Sequence, residues 1–256
     1  MSFAAVIDAL AIPPEALVDQ RVPKKLLLEQ AAPTPAGKRQ IQDSIAELTW
    51  VAALKPTNIG VPAFRDTTRE YLEIAVLTAA LRPTAKPPRL IELIHRAIPY
   101  PLILVTQHRD KFNLSLAHKR WSQGEAGQVV TKDVRQVLLN LGTSSPEESS
   151  FLASLALSQL PARDLFTLYD GLLARLAALE AARITGTFNP PESSDRASAV
   201  QHGLDRHAQL RRDLAILRAQ AAKETQLNRR VELNLAIQRL EAELEGAKRS
   251  LVGETS

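Results

Sequence analysis

The residues with the most evident chemical capacity lie between Glu73 and Arg120. His108-Arg109-Asp110 has the order of a protein-kinase catalytic loop, in which the aspartate takes a hydroxyl proton and an asparagine five residues on holds a metal. Here that position is Ser115, and neither a glycine-rich nucleotide loop nor an Asp-Phe-Gly occurs, so the tripeptide is expected to be a hairpin turn. A metal-dependent nuclease needs an acid on one strand and an acid-x-lysine triplet on another, so that carboxylates hold the cation and lysine polarises the water. Glu73, His108, Asp110 and Lys111 are the residues that could serve, but Asp110 and Lys111 are adjacent and would point to opposite faces of a strand. Ser115 has no base that sequence spacing brings to it. No Walker lysine loop and no dinucleotide glycine pattern is present. No catalytic residue, metal ligand or cofactor is assigned, and the nuclease stands as an alternative.

Two cationic pairs, His95-Arg96 and Lys119-Arg120, suggest a corner that could hold an anion or a nucleic-acid phosphate. The simpler reading of His95-Arg96 is a favourable charge at a helix C-terminus, with Arg96 paired to Glu92 one turn back. Residues 1 to 120 carry 16 Lys and Arg against 11 Asp and Glu, a modest basic excess that keeps direct DNA binding open as a second alternative. Trp50 and Trp121 are expected in the core.

The elements that must position these groups are legible from periodicity. Glu73 to Leu81 is apolar on both faces and reads as a covered strand. Pro87 to Ile98 opens on prolines and keeps Leu90, Ile91, Ile94 and Ile98 on one helical face; Pro99-Tyr100-Pro101 ends it. Leu102 to Thr106 reads as a buried strand. After the turn, Phe112, Leu114 and Leu116 alternate with Asn113, Ser115 and Ala117, as in a strand with one wet face. This is a β-α-β-β unit, and it places the chain in the α+β class: a small sheet with packed helices, then an all-α region with coiled-coil character. Upstream, short helices are expected at Phe3 to Leu10 and Pro23 to Gln30. A longer helix is expected from Thr34-Pro35 through Ile41, Ile45, Leu48, Trp50, Val51 and Leu54. Ile59 to Phe64 is expected to be extended, Gly124 to Gly127 a loop, and Val129 to Leu141 fits strand or helix.

Beyond Gly142-Thr143-Ser144 the pattern is helical. Ser145-Pro146-Glu147-Glu148 is a strong start signal for a helix running to about Gln159. Pro161 opens another, with Leu165, Tyr169, Leu172, Leu176 and Leu179 on one seam. A linker around Asn189-Pro190-Pro191 leads to a final segment from about Asp195 to Leu251. There Leu210, Leu214 and Leu217 form one seam, and Leu233, Ile237, Leu240, Leu244 and Leu251 another that is out of phase. The register breaks near Lys223 to Arg230, which favours a helical hairpin over one long helix. Three regions follow: 1–142 α/β, 143–188 helical, and 189–256 a hairpin or long helix whose seam could bind a partner or a second copy.

The chain of 256 residues has no cysteine, which removes disulfides and thiol chemistry together. It has no membrane-spanning run and no signal-peptide pattern at its start, and a cytoplasmic location is expected. Val22-Pro23-Lys24, Leu54-Lys55-Pro56, Glu73-Ile74-Ala75-Val76, His95 to Pro101 and Ser115 to Arg120 together resemble the uncharacterised bacterial domain-of-unknown-function family DUF4391, over roughly half of the chain. The resemblance implies an accessory role, because members tend to be encoded beside DNA methyltransferases and superfamily-two helicases in restriction or phage-defence clusters. The function expected from it is a non-enzymatic adaptor whose partner is a helicase or a DNA methyltransferase.

Overall fold

The computed structural model describes residues 3–30, 34–122, 129–131, 133–140 and 145–252. The expected loop at Gly124 to Gly127 and the break at Gly142 to Ser144 lie outside the described residues. Contacts divide the chain into two compact units, Met1–Leu176 and Ala177–Ser256.

The first unit is α+β. It begins with α1 (Ala4–Ala9), a 3-10 turn at Pro14–Ala16, β1 (Leu17–Arg21), α2 (Lys24–Gln30), α3 (Pro35–Ser44), β2 (Ile45–Leu54), and α4 (Pro56–Ile59). Then come a short ribbon of β3 (Phe64–Arg65) and β4 (Glu70–Tyr71), β5 (Ile74–Leu81), α5 (Pro87–Ala97), β6 (Leu102–His108) and β7 (Lys111–Leu116). A second ribbon pairs β8 (Lys119–Trp121) with β9 (Val129–Thr131), and β10 (Arg135–Leu139) completes the main sheet. That sheet has the order β1-β2-β5-β6-β7-β10. All its pairings are antiparallel except β5 with β6, whose crossover is α5. Helix α6 (Pro146–Ala153), a 3-10 turn at Leu157–Gln159 and α7 (Leu165–Thr185) follow.

Both faces of the sheet are covered. Ala75, Leu77, Ala79 and Leu81 of β5 pack with Leu90, Ile91 and Ile94 of α5 and with Leu27 and Ile41 of α2 and α3. Ile74 and Val76 on the opposite side of β5, with Ile103 and Val105 of β6, are buried as well. The expected wet face of β7 is therefore dry: Asn113, Ser115 and Ala117 are buried, and Asn113 Nδ2 donates to Gln136 Oε1 of β10 at 3.1 Å. The turn reading of His108-Arg109-Asp110 is realised, since His108 faces Lys111 and Arg109 takes the left-handed conformation at φ 60°.

The long helix expected from Thr34 to Leu54 is instead a helix followed by a strand. Thr34 Oγ1 accepts the Gly37 N–H at 3.2 Å and starts α3, which stops at Ser44. β2 then pairs with both β1 and β5, with register shifts between Ile45 and Glu47 and between Trp50 and Ala52. Each irregularity changes which residues face the core, so an otherwise period-two strand shows apolar residues at helix-like spacing. Strand β1 is exposed along its length and irregular between Leu17 and Gln20, with Asp19 at φ 45°. Helix α6 ends at Ala153, short of Gln159, and α7 starts at Leu165 rather than Pro161, because Asp164 caps it by accepting the Thr167 N–H on Oδ1 at 2.8 Å.

The second unit holds the end of α7, α8 (Ser194–Lys223) and α9 (Leu227–Val252). Ser193 Oγ caps α8 by accepting the Arg196 N–H at 3.2 Å. Helices α8 and α9 form an antiparallel hairpin, cross-linked by Arg206 to Glu243 at 2.6 Å and Arg218 to Glu241 at 2.7 Å. The turn needs no glycine or proline, since Glu224 Oε1 accepts the Gln226 N–H at 2.8 Å. At the base, Ala177 and Ala181 of α7 pack with Val200, Leu204 and Leu251.

Two glycines in helices test this packing with opposite signs. A Cβ on Gly246 would meet nothing within 4 Å, so Gly246→Ala should stabilise by about 0.5–1 kcal/mol through helix propensity alone. A Cβ on Gly171 would sit 2.6 Å from Cδ of the rigid Pro161 ring, so Gly171→Ala should destabilise by about 1–3 kcal/mol despite the same propensity gain. Urea unfolding of the two single variants measures both.

Candidate functional site

Five consecutive residues at the β7–β8 junction, Ser115 to Lys119, bring the polar groups of the first unit together. Pro99 begins the problem they solve. Having no N–H, it cannot donate to the carbonyl of His95 four residues earlier, so that carbonyl near the C-terminus of α5 lacks its helical partner. Lys119 Nζ donates to the His95 oxygen and to Thr131 Oγ1, the latter at 2.9 Å. The ammonium also complements the negative end of the helix. Lys119 is only 3% exposed, and this burial brings its amine down to about pH 7.

The imidazole of His95 is fully buried and lies 3.0 Å from Ser115 Oγ through Nε2. Ser115 Oγ donates to Leu104 O at 3.3 Å, so its lone pair receives the Nε2 proton and Nδ1 is left as an acceptor without a partner among the described residues. This is a serine–histidine pair that sequence spacing did not disclose, yet it is not built as a nucleophile. Its tautomer carries hydrogen where a base needs a lone pair, no carboxylate backs Nδ1 among the described residues, and both side chains are sealed from solvent. Burial, reinforced by the neighbouring Lys119 charge, lowers His95 to about 3 and keeps it neutral.

On the other side of the junction, Tyr71 Oη donates to His118 Nδ1 at 2.6 Å, and His118 Nε2 donates to Asp170 Oδ1 of α7 at 3.2 Å. The connectivity is that of a triad with a phenol in the nucleophile's place. Tyr71 is fully buried, however, and desolvation raises its pKa, which keeps it a hydrogen-bond donor. Phe166 stacks on His118 with centroids 5.2 Å apart, and the Arg69 guanidinium lies 4.8 Å from the Phe166 ring centre. Between the two lines, Tyr169 Oη accepts the Ala117 N–H and donates to Leu102 O, both at 2.8 Å.

Of the cationic corner, only Arg96 and Arg120 reach solvent; His95 and Lys119 point inward. The nuclease residues do not converge. Glu73 pairs with Lys55 at 3.3 Å at the start of β5, whereas Asp110 lies beyond the far end of the parallel β6, roughly 20 Å away at strand rise. His108 Nε2 is turned to Pro83 O at 3.2 Å. Among the described residues, no group of three His, Asp or Glu is placed to hold a metal. Of the helical seam, Leu210, Leu214 and Leu251 are buried and Leu217, Leu233, Ile237, Leu240 and Leu244 are half-buried, so the hairpin spends much of this seam on itself.

Two features escape sequence reasoning. One is a cleft of about 270 Å³ lined by Leu72, Tyr100, Arg120 and Trp121 among others. The other is a stripe of exposed apolar residues on α9, Leu227 at 66%, Val231 at 50% and Leu235 at 50%. Its spacing of four was visible, but the stronger seam on the opposite face masked it.

The family described as Domain of unknown function (DUF4391) matches residues 10–244. The chain belongs to this family. The match takes in the sheet, the junction and most of the hairpin, so the helical region is as much a part of the DUF4391 domain as the α/β unit, more than the sequence segments alone indicated. No curated protein and no solved structure matches the chain.

The neutral His95 of this DUF4391 domain gives a signed pH dependence. The unfolded imidazole takes up a proton below about 6.5, and the folded one resists until about 3, so the unfolded state binds more protons between those values. Stability supplied by His95 is present above pH 6.5 and falls as the pH drops toward 3. Denaturant unfolding at pH 7, 5 and 4 should show a steeper acid loss for the natural chain than for His95→Leu; equal slopes would contradict the assignment.

Proposed function

We propose that this chain is a non-enzymatic accessory subunit of a bacterial DNA-modification or phage-defence complex, and that it holds its partner through the distal half of the C-terminal hairpin. The observation that carries the reading is the exposed Leu227–Val231–Leu235 stripe. Residues four apart share a helix face, and this one is opposite the seam of Leu233 and Leu240. Its flanks, Asn228, Asn234 and Gln238, are polar but uncharged. Helix α9 is thus apolar on two faces in its distal half, where a two-helix hairpin can bury only one. Ile216 of α8, 56% exposed, adds to the uncovered apolar surface.

The sealed His95–Ser115 pair and the buried Tyr71 hydroxyl support a binding role over a catalytic one. The class of partner follows from the family resemblance, which points to a DNA methyltransferase or a helicase.

Affinity capture of the tagged full chain from its own host, after nuclease treatment and with mass spectrometry, tests this against the triple variant Leu227→Ser, Val231→Ser, Leu235→Ser. These side chains are exposed, so unfolding of the variant should stay close to that of the natural chain. A methyltransferase or helicase recovered with the natural chain and depleted about tenfold or more with the variant is the expected result. Equal recovery by both, or recovery of neither enzyme, would remove the reading.

A further inference from the structure

Tyrosine and tryptophan have a polar tip on an apolar ring, and a protein that buries them gives the tip a partner. Three of the five in this chain follow that rule. Tyr71 and Tyr169 make the hydrogen bonds described above, and Trp50 Nε1 donates to Ala52 O at 2.8 Å. Tyr100 and Trp121 are not buried in this way: Tyr100 is exposed and Trp121 half-buried, and among the described residues neither tip has a hydrogen-bond partner and neither ring packs on another ring. These two rings line the same cleft, of about 270 Å³. Tyr100 stands between two prolines that stiffen the backbone and is 46% exposed. Trp121 is half-buried, with its backbone N–H fixed to Thr68 O at 2.8 Å.

The charge of the cleft is one-sided. Glu70, the acid in its wall, is paired with Arg65. Lys119 contributes to the floor, with its amine committed to the end of α5. Arg120 is exposed, and no ion-pair partner for it occurs among the described residues. Two π-faces with unused donors and one uncompensated guanidinium form a combination that suits a base and its phosphate. A duplex keeps its bases stacked on each other, so aromatic platforms of this kind select single strands.

We propose that the cleft walled by Tyr100 and Trp121 binds single-stranded nucleic acid, with the two rings stacking bases and Arg120 contacting the backbone phosphate. The proposal is independent of the hairpin and its partner.

Fluorescence anisotropy of the full chain with a labelled oligo(dT) of about 12 nucleotides, and with a duplex of equal length, tests it at about 50 mM salt. The single strand should bind more tightly than the duplex. Tyr100→Leu and Trp121→Leu should each weaken it about fivefold or more, and Trp121→Phe, which keeps a stacking face, should retain most of the affinity. Arg120→Ala should reduce the slope of log affinity against log salt by roughly one. Circular dichroism melts establish that each variant is folded. Equal binding of duplex and single strand, no binding of either, or Trp121→Phe weakening binding as much as Trp121→Leu would overturn the proposal. So would capture in the cleft of a proline-rich peptide in preference to the oligonucleotide.

Discussion

Because Pro99 has no N–H, helix α5 ends with the carbonyl of His95 unserved by its own backbone, and a buried carbonyl must be served from somewhere. Lys119 does this, and the requirement fixes the start of β8 against the end of α5. Since β8 begins only three residues after β7 ends, Ser115 is then held under the His95 ring, Ala117 is gripped by Tyr169, and His118 is turned toward Tyr71 and Asp170. A helix, two sheets and α7 are thereby joined through five residues, and each bond presupposes the others.

That interdependence gives groups with catalytic connectivity a structural task. A serine beside a histidine, and a phenol–imidazole–carboxylate line, are arrangements that enzymes expose to substrate. Here desolvation keeps His95 neutral and Tyr71 protonated. A group held in one state across the working pH range orients and bonds but does not exchange protons. The surfaces that remain unspent are elsewhere, on the outer face of α9 and in the cleft beside β8.

The elements with simple periodicity were legible in the sequence: α5 between its prolines, the apolar β5 and β6, the Arg109–Asp110 turn, and the out-of-phase seams that mark the hairpin. Strand β2 was not, because two register shifts gave its ten residues the apolar spacing of a helix. The site was mostly hidden. His95 and Ser115 are twenty residues apart, and only the registers of β6 with β5 and β7 bring one under the other. The inward turn of Lys119 depends on a missing N–H in a different element. Tyr100 and Trp121 come together because the chain leaves the main sheet after Leu116 to form the β8–β9 ribbon, a departure with no local signature.

The irregular β1 has a consequence for how copies of the chain meet. It is the edge of a six-stranded sheet, and its outer side would serve as a template for another strand if it were straight. With Asp19 in the left-handed region, the row of amides and carbonyls is interrupted within five residues. A neighbouring strand finds no unbroken run of bonds in register there. Crowded copies are thus kept from zipping together along this edge, at the expense of a strained aspartate.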